Sequence, residues 1–372
     1  MEPSRMTRAV HSLTHQASFR DAVNSIQQAV KDALPSKKGY DSVCVLTLRW
    51  ANDDLGLADI EKELLKFFSV GYHYATDSIL MSSLSIPDAL DDIRERIGKL
   101  IAKYDTPTSL FIIVYEGHSS ISPAGFSIFG TTRGNPPTLL WAHVDAELLR
   151  IRLADKLVIL DSCFSTAAAL GGGNNEYLAA SSFESEASGC VERSFTRRLL
   201  DLLGNLNCPE ITVAQLHAKL VKQANNRHSE LDYTPVHISH MNKPSITLRP
   251  LDKMPREVAA LRMTGELADG KVLISVLLDG KSSIPKIGDW KKWLMTSIPE
   301  AVADIKIEAV FESTSSLCLV TMPVAVWDML KKNDAYDFVA YVESHNLLLH
   351  QPGPSSILEG RAGNVQLPTR EK

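Results

Sequence analysis

The chain has 372 residues, 44% of them hydrophobic, and carries a formal charge of −5. That length exceeds one ordinary core and the apolar share fills two, so two folded domains are expected. No run approaches the roughly eighteen apolar residues of a membrane span, and Lys and Arg are spread without a basic stripe, so neither a membrane nor a nucleic acid is an expected partner.

The start, "MEPSRMTRAVHSLTHQASFR", lacks the apolar centre of a secretory signal. Its Arg and Ser content also fits the composition of an organelle transit peptide, and the segment reads as a disordered lead-in. The five cysteines, Cys44, Cys163, Cys190, Cys208 and Cys318, are odd in number and show no C-x-x-C spacing. They indicate neither a disulfide framework nor a zinc site, and they suit a cytoplasmic location.

Residues 18 to 34 place apolar side chains at helical spacing, and Pro35 closes that element before "VCVLTLRW" (43 to 50) opens as a strand. "DIEKELLKFFSVGY" predicts a second helix and "IPDALDDIRERIGKLIAKY" a third, with Pro87 in its first turn. "SLFIIVYEG" and "KLVILDS" are continuous apolar runs of strand length, as in central strands buried on both faces. After Cys163 come "EYLAASS", a helix "SFTRRLLDLL", a helix "TVAQLHAKLVKQANN" and a strand near "SITLRPL" (245 to 251). Strand alternating with helix implies the α/β class, a three-layer α/β/α sandwich with a mostly parallel sheet.

Beyond a charged connector the order changes to strand "KVLISVLLD", helix "GDWKKWLMTSIPEAV", strands "IKIEAVFES" and "SLCLVTMP", helix "VAVWDMLKK" and strand "YDFVAYVES". That βαββαβ order is the split unit of ferredoxin-like folds, with Trp290 and Trp293 as helix anchors of its core. The expected division is therefore a lead-in and helix over 1–38, an α/β domain over 39–252, a connector over 253–268, an α+β domain over 269–346 able to fold alone, and a disordered tail over 347–372.

Two of the buried strands end on reactive side chains, His118 in "VYEGHSS" and Cys163 in "VILDSCFS". Each alone is explained by core packing, since Cys and His are often buried and silent. Together they fit a catalytic pair: loops leaving neighbouring parallel strands meet at the carboxyl edge of the sheet, and an imidazole that removes the thiol proton creates the nucleophile.

These two motifs resemble the His and Cys motifs of the caspase-like cysteine peptidases, the superfamily of caspases and metacaspases, with fungal caspase-domain proteins most similar. The resemblance spans about residues 40 to 252. It implies Cys163 as nucleophile, His118 as general base and acid with no third residue required, and the backbone N–H groups of Ser119 and Cys163 as the oxyanion site. Two positions depart from the family pattern: Ser119 follows the His where Gly is usual, and Phe164, Ser165 and Thr166 follow the Cys where a Gly often stands. Asp161, two residues before Cys163, resembles the metacaspase residue that favours Arg or Lys at the cleavage site, and Asp53 or Asp54 in "ANDDLG" is the second candidate for that pocket. Read structurally, all three are turn or capping carboxylates.

The resemblance thus implies a cytoplasmic cysteine endopeptidase acting on proteins with basic cleavage sites, in a cell-death or self-recognition pathway. The alternative is a peptidase-fold regulatory or scaffold protein without turnover. No cofactor is indicated with certainty by the sequence. Calcium stays open, with Glu184 and Glu186 as its candidate ligands, although two carboxylates fall short of a calcium shell. "LGGGNN" lacks the Lys-Ser/Thr of a phosphate loop and reads as a linker. His237 and His240 of "HISH" have no carboxylate or Cys near them in sequence, so no metal site is expected there, and the oligomeric state is open.

Overall fold

The computed structural model describes residues 17–36, 38–171, 175–181, 194–206, 210–225, 234–239, 243–251, 267, 269–279, 304–312, 315–330 and 333–350. Glu184, Glu186, Cys190, Cys208, His240, Trp290, Trp293, the predicted helix around those tryptophans, most of the connector and the tail lie outside them.

In chain order the elements are α1 (Phe19–Ala33), β1 (Ser42–Trp50), α2 (Ala58–Gly71), β2 (Ala75–Met81), α3 (Ile86–Tyr104), β3 (Ser109–Glu116), β4 (His118–Ser122), β5 (Gly125–Phe129), β6 (Leu139–Leu140), α4 (Trp141–Leu148) and β7 (Asp155–Asp161). A 3-10 turn (Ser165–Gly171) leads to β8 (Glu176–Ala179), α5 (Phe195–Gly204), β9 (Ile211–Thr212), α6 (Val213–Ala224), β10 (Val236–Ile238) and β11 (Thr247–Leu248). The C-terminal part holds β12 (Lys271–Asp279), β13 (Lys306–Glu312), β14 (Ser315–Pro323), α7 (Val324–Met329) and β15 (Tyr336–Val342).

Serine caps start α1, α3 and α5: the Ser18 side chain accepts from Asp21 N, Ser85 from Asp88 N, and Ser194 from Arg197 N. Thr212 and Gln215 form a reciprocal capping box on α6.

Six strands form the main sheet in the order β10-β8-β7-β3-β1-β2. Every neighbouring pair is parallel except β10 with β8. Alternation divides the central strands between two cores. Val43, Val45, Ile112, Val114, Leu157 and Ile159 face α2, α5 and α6, while Leu46, Leu48, Phe111, Ile113, Val158 and Leu160 face α3 and α4. The three-layer α/β/α sandwich is therefore observed. The sequence reading missed the small antiparallel sheet β4-β5-β6 beside the edge of the main sheet and the antiparallel edge strand β10, and its strand near 245 to 251 pairs with β9 in a separate two-stranded sheet.

The C-terminal strands form an antiparallel sheet in the order β13-β14-β12-β15, with β14 inserted between the first two strands, as the split unit requires. Its core is not self-contained. Ala22, Ile26, Ala29 and Ala33 of α1 and Ala214, Ala218 and Val221 of α6 pack into the same cluster as Val272, Ile274, Val320 and Met322. The expected boundary at 38/39 thus separates α1 from the sheet it covers. An amphipathic stripe shows that a helix has an apolar face without showing which sheet that face meets. Among the described residues no helix is long and apolar enough to cross a membrane.

Candidate active site

Strands β3 and β7 are parallel neighbours whose last paired residues are Glu116 and Asp161. His118 and Cys163 each stand two residues beyond that pair, so one register brings both to the same edge of the sheet. Gly117 makes the exit from β3 possible. Its φ is +150°, and a Cβ there would lie 2.6 Å from Tyr115 Oη. That hydroxyl, at the end of a buried ring, donates to the His118 carbonyl at 2.7 Å.

Two contacts hold the His118 ring. It stacks on Phe129 of β5 with centroids 5.6 Å apart and planes 8° from parallel. Its Nε2 lies 2.6 Å from Asp54 Oδ1, and Asp54 Oδ2 accepts from Thr131 Oγ1 at 2.8 Å. Burial raises the Asp54 carboxyl, but the bonds from Thr131 and His118 outweigh it and hold the group below the ordinary carboxylate range. An ionised Asp54 makes Nε2 the protonated nitrogen of a neutral ring, which leaves Nδ1 as the basic one. Asp54, read from the sequence as a pocket acid, is placed here as the partner that orients His118. Gly130 admits this approach, because a Cβ there would meet Asn52 Oδ1 and Trp50 Cβ.

Asp53 is engaged by backbone N–H groups instead. Its carboxylate oxygens accept from Leu55 N at 3.1 Å and Leu57 N at 2.8 Å, so it closes the turn that starts α2.

The loop after β7 is tied to the end of β8. Thr166 Oγ1 donates to the Ser181 carbonyl at 2.6 Å, Ser181 N donates to Ser165 Oγ at 3.1 Å, and Ser181 Oγ donates to the Ser162 carbonyl at 3.2 Å. The Ser119 hydroxyl donates to the Cys163 carbonyl, joining the two motif loops directly. Ser119 pairs with Ile128 in the β4-β5 ladder and has no positive φ. Phe164 does, at +53°, while its ring packs against the α3/α4 core. The residue after the Cys thus adopts the left-handed conformation that Gly accepts without cost.

Cys163 is half-buried, whereas Cys44 and Cys318 are buried. Burial pushes the Cys44 thiol up to about 12 and the Cys318 thiol to about 11, which leaves both unreactive near neutrality.

Two acids, Glu116 and Asp161, end β3 and β7 two residues before His118 and Cys163. Asp161 Oδ2 accepts from Thr196 N at 2.8 Å, at the first turn of α5. Burial raises its carboxyl, against the bonds from Thr196. Beside it, Glu116 is buried with Oε1 lacking a hydrogen-bond partner. Burial is the main cause that lifts Glu116 to about 8, and the nearby charges of Asp161 and Glu61 add to it. Glu61 itself accepts from Thr47 Oγ1 at 2.6 Å and Arg49 Nε at 2.9 Å, so Arg49 is already committed. The sequence reading did not single out Glu116, although an acid closing the otherwise apolar "FIIVYE" was a visible signal.

No protein-family model and no curated protein matches the chain. Among solved structures, the Drosophila initiator caspase Dronc is similar with a TM-score of 0.41 and 8% identity, covering 57% of this chain and 84% of that one. Caspase-1 from Spodoptera frugiperda is similar with a TM-score of 0.39 and 8% identity, covering 57% and 96%.

Proposed function

We propose that the protein is a cysteine endopeptidase that cleaves polypeptides after Arg or Lys. The observation that carries this reading is the β3-β7 register, which brings the His and Cys motifs to one edge of the sheet, each two residues beyond the paired acids Glu116 and Asp161. In this mechanism His118 Nδ1 takes the proton of Cys163 Sγ while Nε2–H stays on Asp54. The thiolate attacks the scissile carbonyl, and the backbone N–H groups of Ser119 and Cys163 receive the oxyanion. His118 Nδ1–H then protonates the leaving amine, and water admitted to the acyl-enzyme completes hydrolysis.

This acidic pair supports the basic preference. Glu116 and Asp161 are disfavoured as anions where they lie, and an entering guanidinium or ammonium relieves that cost, while a substrate Asp adds to it. The substrate class in this reading is protein. The cytoplasm as its setting rests on the cysteine pattern, and a cell-death or self-recognition pathway on the motif resemblance.

The rival reading, a caspase-like scaffold without turnover, draws on Ser119 in place of Gly. Ser119 has no positive φ, which speaks against backbone strain at that position. An activity-based thiol probe, together with a peptide library varied at the cleavage position and assayed with and without calcium, separates the two. Probe labelling of Cys163 with cleavage after Arg and Lys supports the enzyme, and an unlabelled Cys163 with no cleavage supports the scaffold.

A further inference from the structure

His237, left without partners by the sequence reading, lies in a buried cluster that joins the α/β domain to the C-terminal unit. His217 Nδ1 of α6 and His237 Nδ1 of β10 stand 2.6 and 3.2 Å from the same atom, Oδ2 of Asp328 on α7. The outer ring nitrogens are also engaged: His217 Nε2 lies 2.9 Å from the Pro235 carbonyl and His237 Nε2 lies 2.7 Å from Glu176 Oε1. Glu176 is held in turn by the Ser245 hydroxyl at 2.6 Å and Ile246 N at 2.7 Å.

A carbonyl only accepts, so His217 Nε2 must carry hydrogen, and facing a doubly hydrogen-bonded carboxylate His237 Nε2 does the same. In neutral rings both Nδ1 lone pairs then point at a carboxylate oxygen. Three lone pairs converging in a dry site require positive charge between them, either two protons or one cation. Two separate N–H donors would be served best by the two carboxylate oxygens, whereas both nitrogens here approach one. The outer N–H groups, given to a carbonyl and a carboxylate, match the outer shell that orients metal-bound imidazoles.

We infer that His217, His237 and Asp328 bind one divalent transition-metal ion of the zinc class, which staples the C-terminal unit to the α/β domain. Zinc about 2.0–2.1 Å from each donor sets tetrahedral donors roughly 3.3 Å apart. His237 Nδ1 already has that separation from Asp328, and His217 Nδ1 reaches it by opening a fraction of an ångström. The three donor atoms fall within 4.8 Å of one another, and a water completes the shell. Two imidazoles and a carboxylate suit zinc, and Glu176 with Asp328 balances its charge.

The test uses the full chain stripped with a chelator, then titrated with Zn²⁺ and, separately, with Co²⁺. About one zinc per chain, a Co²⁺ visible spectrum of tetrahedral intensity and a melting temperature raised by zinc are expected. His217→Gln and Asp328→Asn should each weaken zinc binding at least about tenfold, while Cys163→Ala leaves it intact. Less than roughly a tenth of a zinc per chain, or zinc lost in Cys163→Ala, would overturn the site. If a cluster variant fails to fold, the wild-type Co²⁺ spectrum and the Cys163→Ala stoichiometry still decide.

Discussion

Glu116 and Asp161 stand directly opposite each other in the β3-β7 ladder, two carboxyl groups at adjacent positions on one face of the sheet. Such a pair is held apart from water only at the cost of keeping a proton, and Glu116 keeps it, with its carboxyl lifted from 4.5 to about 8.

That shift has a pH signature. Between about 4.5 and about 8 the folded chain retains a proton that the unfolded chain has released, so the stabilisation is fully present below 4.5 and is lost as pH rises through about 8. Urea unfolding at about pH 5 and about pH 9 should therefore differ by up to about 4 kcal/mol from this group. Glu116→Gln should flatten the difference. An unchanged slope would show that Glu116 titrates normally.

The same pair governs the expected cleavage preference, with Arg at least equal to Lys and both far above Asp. Charge-assisted bonds contribute roughly 1.5 to 3 kcal/mol each, so a basic residue should exceed a neutral one by about two orders of magnitude in kcat/KM. Asp161→Asn should lower cleavage after Arg while Cys163 still alkylates. Efficient cleavage after Asp would remove both acids from the pocket.

Asp54 is expected to matter through His118. Asp54→Asn replaces an obligate acceptor by a group that also donates, allowing the wrong imidazole tautomer, and should slow iodoacetamide labelling of Cys163 near neutral pH by about tenfold or more. His118→Ala should do at least as much. Cys44 and Cys318 serve as internal controls, because burial keeps their thiols protonated. Equal labelling of all three in the folded wild-type chain would contradict the pair.

Phe164 offers a backbone test. Phe164→Ala and Phe164→Gly lose the same ring contacts, but only Gly relieves a φ of +53°. The Gly variant should therefore be more stable than the Ala variant by about 1 kcal/mol, the reverse of the usual ranking. Equilibrium unfolding of the two measures this directly.

The shared core predicts that a fragment of residues 269–346 lacks cooperative unfolding, because α1 and α6 supply part of its apolar cover. In the full chain, Ile26→Asp should cost at least about 3 kcal/mol and make the C-terminal sheet the first target of limited proteolysis. A cooperatively folded fragment would restore the independent domain expected from the strand order.

Local pattern determined much of this protein. Apolar periodicity marked α1, α2, α3, α5 and α6, uninterrupted apolar runs marked β3 and β7, and the residues ending those runs marked His118 and Cys163. These features depend on neighbours within a few positions, which is the range over which helix and strand periodicity acts. Contacts between distant segments were decided only by tertiary packing. Asp54 and His118 are 64 residues apart, and Asp328 meets His237 across 91, so neither pairing leaves a trace in spacing. Three acids read alike in the sequence met different fates for the same reason: Asp53 closes the turn before α2, Asp54 holds His118, and Asp161 joins Glu116 at the first turn of α5. A carboxylate's role depends on the donors that surround it in space, and parallel-sheet register, fixed by packing on both faces, decides which donors those are.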